Sequence, residues 1–131
     1  MPTTPDQPSP ETPHARAGLT PLDAFGLLDL RVGRVVRVEP NEQARKPSYK
    51  MWIDFGDPPS GLGVRQSSAQ LTALYSPQTL VGKQVVAAVN LGVRRIAGFE
   101  SQVLVLGLPD SSGNVVLLAP EREVPLGGRV F

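Results

Sequence analysis

The amino-acid sequence predicts an all-β fold, a small barrel of five short strands. Three observations carry that expectation. Apolar residues recur with period two or in unbroken runs of about five, not at sustained helical spacing. Turn signatures rich in Gly, Pro, Asp and Asn separate those runs. Only two stretches read as helix, and both are short. The 131 residues suit a single domain.

Residues 1–20 are rich in Pro, Thr, Ser and Gln and hold almost no large apolar side chain. Such a segment cannot bury enough surface to offset its ordering entropy, so a disordered tail is expected there, with the folded body at 21–131. Thr20-Pro21 then opens a short helix or turn, an N-cap residue followed by Pro at the first helical position. Its apolar residues, Leu22, Phe25, Leu27 and Leu28, need a surface to cover: the end of the barrel or a partner subunit.

The first strand is expected over Leu30–Val38, with Leu30, Val32, Val36 and Val38 in period two. Strict alternation would turn Arg34 inward, so a bulge or sharp coil is expected at Gly33-Arg34. Pro40–Pro47 is a loop. Ser48–Phe55 is the second strand, with Tyr49, Met51, Ile53 and Phe55 on the core face and Lys50, Trp52 and Asp54 on the other. The Gly56–Gly61 turn leads into a third strand, Leu62–Ser67, which completes a hairpin. A short helix is expected over Ala69–Tyr75, capped by Ser68 and stopped by Ser76-Pro77. Gln84–Asn90 is a buried fourth strand, and Gln102–Leu108 the fifth. Asp110–Asn114 is a turn, with Val115–Ala119 paired across it. Pro120–Phe131 is broken by Pro and Gly. Three strands, a short helix and two strands is the order of the OB-fold, a five-stranded Greek-key barrel, here with extra terminal segments.

Composition excludes several chemistries. There is no cysteine, which removes disulfides, thiol catalysis and Cys-based zinc sites. The single histidine, His14, lies in the tail. No phosphate-cradling loop, HExxH helix or dinucleotide fingerprint is present, and Asp54, Asp57, Glu100 and Asp110 show no paired-carboxylate spacing. The expectation is a binding protein, not an enzyme, with no metal and no cofactor. Net charge is +1; Asp6, Glu11 and Arg16 give the tail −1, so the body carries +2. Any nucleic-acid surface must therefore be a local patch. No run approaches a membrane span, and the N-terminus lacks the basic start and apolar core of a signal peptide. A cytoplasmic location is the expectation.

Candidate binding residues cluster on the polar crossing between strands four and five. Arg94 and Arg95 offer bidentate donors suited to phosphate. Gly98 supplies a flexible backbone point, Ser101 a further donor, and Phe99 an apolar side chain beside the cations. Arg65 and Ser67 close the third strand next to the binding face of an OB barrel. Arg45, Lys46 and Lys50 border the loop between strands one and two, the other loop such faces use. The bland alternative for each cation is a solvated loop charge, with Glu100 as a partner for the arginine pair. Aromatics are few, which argues against a general single-strand binder that stacks many bases.

The runs Arg94-Arg95-Ile96-Ala97-Gly98-Phe99 and Gln66-Ser67-Ser68-Ala69-Gln70, with Ile53-Asp54-Phe55-Gly56, resemble the tRNA-binding domain family. The likeness extends from about Ala24 to the C-terminus. That family includes free-standing RNA-binding modules and bacterial secretion chaperones of the CsaA type, and the match is closer to the chaperone branch. The resemblance implies an OB barrel, a homodimer, and binding of unfolded or export-bound polypeptide. The alternative it implies is a tRNA-binding protein acting in trans. One departure favours the chaperone branch: Ala97 stands where the tRNA-binding modules carry a further basic residue.

Removing residues 1–20 is expected to leave the thermal midpoint nearly unchanged, because they offer no core residue. Calorimetry of the truncated chain checks this, and a drop of several degrees would mean that the segment packs on the body.

Overall fold

The computed structural model describes residues 18–131. The expected tail lies outside them except for its last three residues. Of these, Thr20 belongs to the body. Its hydroxyl accepts from the Asp23 N–H, and the Asp23 carboxylate accepts from the Thr20 N–H, a reciprocal cap on helix α1, Pro21–Leu27. Losing such a cap costs about 1 kcal/mol. The deletion that tests the tail alone therefore stops at residue 17.

The barrel is built from β1 (Leu30–Pro40), β2 (Tyr49–Asp54), β3 (Val64–Ala69), β4 (Gln84–Ala88) and β7 (Leu104–Val105), in the spatial order β3-β2-β1-β4-β7. All pairings are antiparallel. On β2 the alternation resolves as expected: Tyr49, Met51 and Ile53 are buried, while Lys50, Trp52 and Asp54 face outward. Phe55 fills the core beside Met51, Val35, Val85 and Leu80.

β1 serves both halves of the barrel. Its first part pairs with β4 and its second part with β2. The strand must coil, and Gly33 sits where it does. A Cβ at position 33 would lie 2.5 Å from Ile53 Cγ2 and 2.8 Å from the Phe55 ring. The register slip is displaced from the expected position. It falls between Val35 and Arg37, leaving Val36 exposed and Val35 in the core. Val36 thus does not continue the inward face read from the sequence.

The short helix between strands three and four is also displaced. Residues 71–75 make only a single turn, closed by the Tyr75 N–H on the Leu71 carbonyl. The helix is α2, Pro77–Leu80, with Ser76 as N-cap in a reciprocal cap with Thr79. Ser76-Pro77 starts a helix rather than stopping one, and its Leu80 plugs the barrel.

The fifth strand is divided. The stretch 94–101, expected as a plain crossing, is a two-stranded ribbon of β5 (Arg94–Ile96) and β6 (Phe99–Ser101). Its two-residue turn has positive φ at Ala97 (50°) and Gly98 (79°), the backbone of a type I′ turn. β7 then rejoins the barrel. β8 (Gly107–Pro109) and β9 (Val115–Leu117) form the hairpin expected around the Asp110–Asn114 turn.

Closure comes from side chains as much as from backbone. The Gln102 N–H donates to the Gln66 carbonyl, and the Gln66 N–H donates to Gln102 Oε1 at 2.9 Å. The Ser68 N–H donates to Ser101 Oγ at 3.0 Å. The C-terminal segment covers the edge of β1 that β2 leaves open. Val32 N–H bonds the Gly128 carbonyl, and Val130 N–H bonds that of Leu30. Arg34 grips Glu123 with both terminal nitrogens, at 3.0 and 2.6 Å, and Arg129 donates to the Gly26 and Leu28 carbonyls.

Gly33→Ala is expected to lower stability by about 1–3 kcal/mol, since the added methyl overpacks against two fully buried side chains. That corresponds to a thermal midpoint lower by roughly 4 °C per kcal/mol, read by circular dichroism. An unchanged midpoint would mean that β1 can bend elsewhere.

Candidate ligand-binding groove

Three loops and strand ends meet at one edge of the barrel. The loop between β1 and β2 supplies Gln43–Lys46 and Ser48. The end of β3 supplies Ser68 to Leu71. The ribbon supplies Arg94, Ile96 and Ala97. Between them lies an open groove of about 720 Å³. Its floor is apolar, from Leu71, Ile96, Leu104, Val105 and Val115, and its cations are Arg45, Lys46 and Arg94. None of these three makes an ion pair within 4 Å among the described residues. Their charge is open to an incoming ligand.

The ribbon turn sets one wall. Gly98 is held against the β1–β2 loop, where a Cβ would lie 3.2 Å from Gln43 Oε1. That loop also holds unfilled hydrogen-bonding capacity. Asn41 Nδ2 and Ser48 Oγ are buried without a partner among the described residues.

The candidate residues divide sharply. Arg45, Lys46 and Arg94 line the groove. Gly98 forms the turn above it. Arg95 faces away, paired with Glu100 at 3.2 Å, as its bland reading allowed. Ser67 and Ser101 are buried in the barrel wall. Ser101 Oγ accepts from Ser68 and donates to the Val103 carbonyl, a structural task that uses its one donor. Arg65 shares strand parity with Ser67, and its Nε donates to the Leu62 carbonyl away from the groove. Phe99 and Lys50 are not in the groove either. Phe99 packs against Trp52 at an interplanar angle of 77°, ring centroids 5.6 Å apart, and Lys50 Nζ lies 5.7 Å above the Phe99 ring. Leu71, Leu104 and Val115 were missed as floor residues. Each reads from sequence as ordinary strand or helix packing, and only the closed barrel assembles them.

A closed five-strand barrel, with an open cationic groove beside its β1–β2 loop, defines a binding module of OB type. No group of three His, Cys, Asp or Glu side chains among the described residues could hold a metal ion. The chain belongs to the family described as "Putative tRNA binding domain", whose model matches residues 30–129. It is similar to a crystal structure of chaperone CsaA from Bacillus anthracis, with 46% identity and a TM-score of 0.77 over 86% of this chain and 99% of that one. A CsaA chaperone protein from Picrophilus torridus gives 38% identity and a TM-score of 0.77 over 86% of this chain and the whole of that one. A methionine–tRNA ligase of Deinococcus radiodurans is 34% identical over 128 residues, which is 98% of this chain but 18% of the ligase. The chain thus spans less than a fifth of that relative and matches the two CsaA chains nearly end to end.

Proposed function

We propose that the protein is a cytoplasmic, CsaA-like chaperone that holds unfolded or export-bound polypeptide in the groove. The observation that carries this reading is the pairing of an apolar floor with a rim of three cations that have no ion-pair partner among the described residues. An extended polypeptide presents apolar side chains to such a floor and acidic side chains to such a rim. The end-to-end likeness to two CsaA structures supports it.

The second reading is a tRNA-binding protein acting in trans. The family match and the same three cations favour it. The two readings differ in their thermodynamics. Phosphate neutralisation by three side chains gives a log–log salt slope of about −2 to −3. Apolar burial gives a shallow salt response and a negative heat-capacity change.

We also propose that the chain is a homodimer. Helix α1 buries none of its residues, Phe25 and Leu28 remain exposed, and Phe131 is fully exposed beside them. An unpartnered apolar surface of this kind marks an interface.

Leu104→Ser is expected to weaken binding of a reduced, permanently unfolded polypeptide by about 1–2 kcal/mol, by loss of apolar contact. Replacing Arg45, Lys46 and Arg94 together with Ala should weaken it less. Calorimetric titrations with that polypeptide and with tRNA, each at two salt concentrations, check this. A steep tRNA slope abolished by the triple change, with Leu104→Ser silent toward polypeptide, would overturn the chaperone reading and leave the RNA one. Sedimentation at micromolar concentration should give a dimer with an interface of about 2,000 Å² or more; a monomer would sink the dimer proposal.

A further inference from the structure

The outer face of β2 carries an aromatic surface that the groove does not use. Successive cross-strand partners place Arg37, Trp52 and Gln66 in one outward row. The indole is held in place. Its Nε1 donates to Gln66 Oε1 at 3.2 Å, and Gln66 Nε2 donates to the Glu100 carbonyl at 2.9 Å. The Phe99 ring packs against it, centroids 5.6 Å apart at an interplanar angle of 77°. Two cations border the rings. The Arg37 guanidinium lies 4.5 Å from the Trp52 centroid, and Lys50 Nζ lies 5.7 Å from that of Phe99. Arg37 pairs with one surface carboxylate, Glu39, and such pairs hold their members weakly. Lys50 has no ion-pair partner among the described residues. None of Arg37, Lys50, Trp52 and Phe99 lines the groove.

The chain itself supplies a complement to this surface. Residues 1–17 lie outside the described residues, and their sequence is rich in proline. Pro2, Pro5 and Pro8 recur at intervals of three, as do Pro10 and Pro13. Three residues make one turn of a polyproline II helix, so this spacing lines proline rings along one edge. Such a helix makes no internal hydrogen bonds, and aromatic surfaces recognise it by packing against its prolines. Its free carbonyls suit the donors of Arg37 and Lys50. So do the carboxylates of Asp6 and Glu11, the only charged side chains in residues 2–13. The tether is long enough. Arg37 lies seven residues along β1 from Leu30, about 23 Å at the rise of a strand. Pro8 and Pro2 precede Gly18 by ten and sixteen residues, about 31 and 50 Å of polyproline helix.

We propose that residues 2–13 dock on the Trp52–Phe99 face of their own chain as a polyproline II helix. A proline of the Pro2–Pro5–Pro8 row packs on the indole. Arg37 moves off the ring onto a carboxylate of the segment, and Lys50 takes a second acceptor. Gln66 and Phe99 hold the indole before the segment arrives, so little side-chain entropy is lost. The docked segment covers an aromatic surface that a proline-rich partner would otherwise meet. The groove reading neither requires this contact nor supplies it.

Trp52 is the only tryptophan in the chain, so its fluorescence reports on this one face. The test changes only residues 1–17, so no barrel residue is altered. A tether gives an effective concentration of about 1 mM, and a site of millimolar strength is then closed in about half of the molecules. Acrylamide quenching of Trp52 is therefore expected to be about a third weaker in the full chain than in the chain lacking residues 1–17. A synthetic peptide of residues 1–17, added at millimolar concentration, should protect the truncated chain to the same extent. Replacing Pro2, Pro5 and Pro8 together with Ala in the full chain should give the truncated value, and Asp6→Asn with Glu11→Gln an intermediate one. The thermal midpoint stays nearly unchanged throughout, because closure of that strength adds little to stability. Protection independent of protein concentration assigns docking within one molecule. Protection lost on dilution assigns the segment of a second copy and overturns the proposal. An unrelated proline-rich peptide that protects the truncated chain when residues 1–17 do not gives the face to a separate partner, and also overturns it. Equal quenching in the full and truncated chains, or protection that survives the triple proline change, would do the same.

Discussion

One strand has to belong to two half-sheets. β1 runs along β4, coils, and continues along β2, and the coil is possible because position 33 has no side chain where Ile53 and Phe55 converge. The extra residue at Val36 completes the bend by letting the ladder skip a partner. Everything else follows from that curvature. It wraps β2 and β3 far enough round for β3 to meet the Ser101–Val103 segment. It also turns the outer face of β2 toward the ribbon, so that Trp52 and Phe99 can touch.

The barrel was legible where burial imposes a strict period. Tyr49, Met51 and Ile53 against Lys50, Trp52 and Asp54 is an alternation with one physical solution, and the structure adopts it. It was less legible where one residue pair carries two meanings. A Ser-Pro pair can end a helix, because proline keeps the preceding residue out of helical conformation. The same property suits an N-cap followed by a first helical proline, which is how Ser76-Pro77 is used. Thr20-Pro21, with the same signature, was read correctly because only tail precedes it. The ribbon was hidden for a different reason. Its turn uses Ala97-Gly98 where Asn-Gly would have announced it, and only the paired strands hold an alanine at positive φ.

The candidate site was legible in kind but not in assembly. The sequence identifies a cationic pair and an aromatic residue within six positions, yet folding sends them apart. Arg94 joins Arg45 and Lys46, from a loop some fifty residues away, over an apolar floor. Arg95 turns out to Glu100, and Phe99 goes to Trp52. Cross-strand geometry accounts for the departure of Arg95 alone. Ile96 and Phe99 are partners on one face of the ribbon, and the Arg95–Glu100 pair takes the other. Ser101 looked like a donor for ligand because serine on a polar crossing usually is one. Its burial follows from the ladder, which alternates it with exposed Glu100.

The C-terminal segment has a consequence for how the chain folds in time. Residues 127–130 bond to β1 at Leu30 and Val32, and Arg129 holds the carbonyls at the end of α1. These contacts span nearly the whole length of the body. During synthesis β1 leaves the ribosome almost one hundred residues before its second edge has a partner. Until then that edge carries unpaired N–H and C=O groups beside exposed Leu22, Phe25 and Leu28. Long-range pairing of this kind slows folding, since loop closure must precede any gain from contact. The nascent chain therefore carries an open strand edge until residues 127–130 have been made.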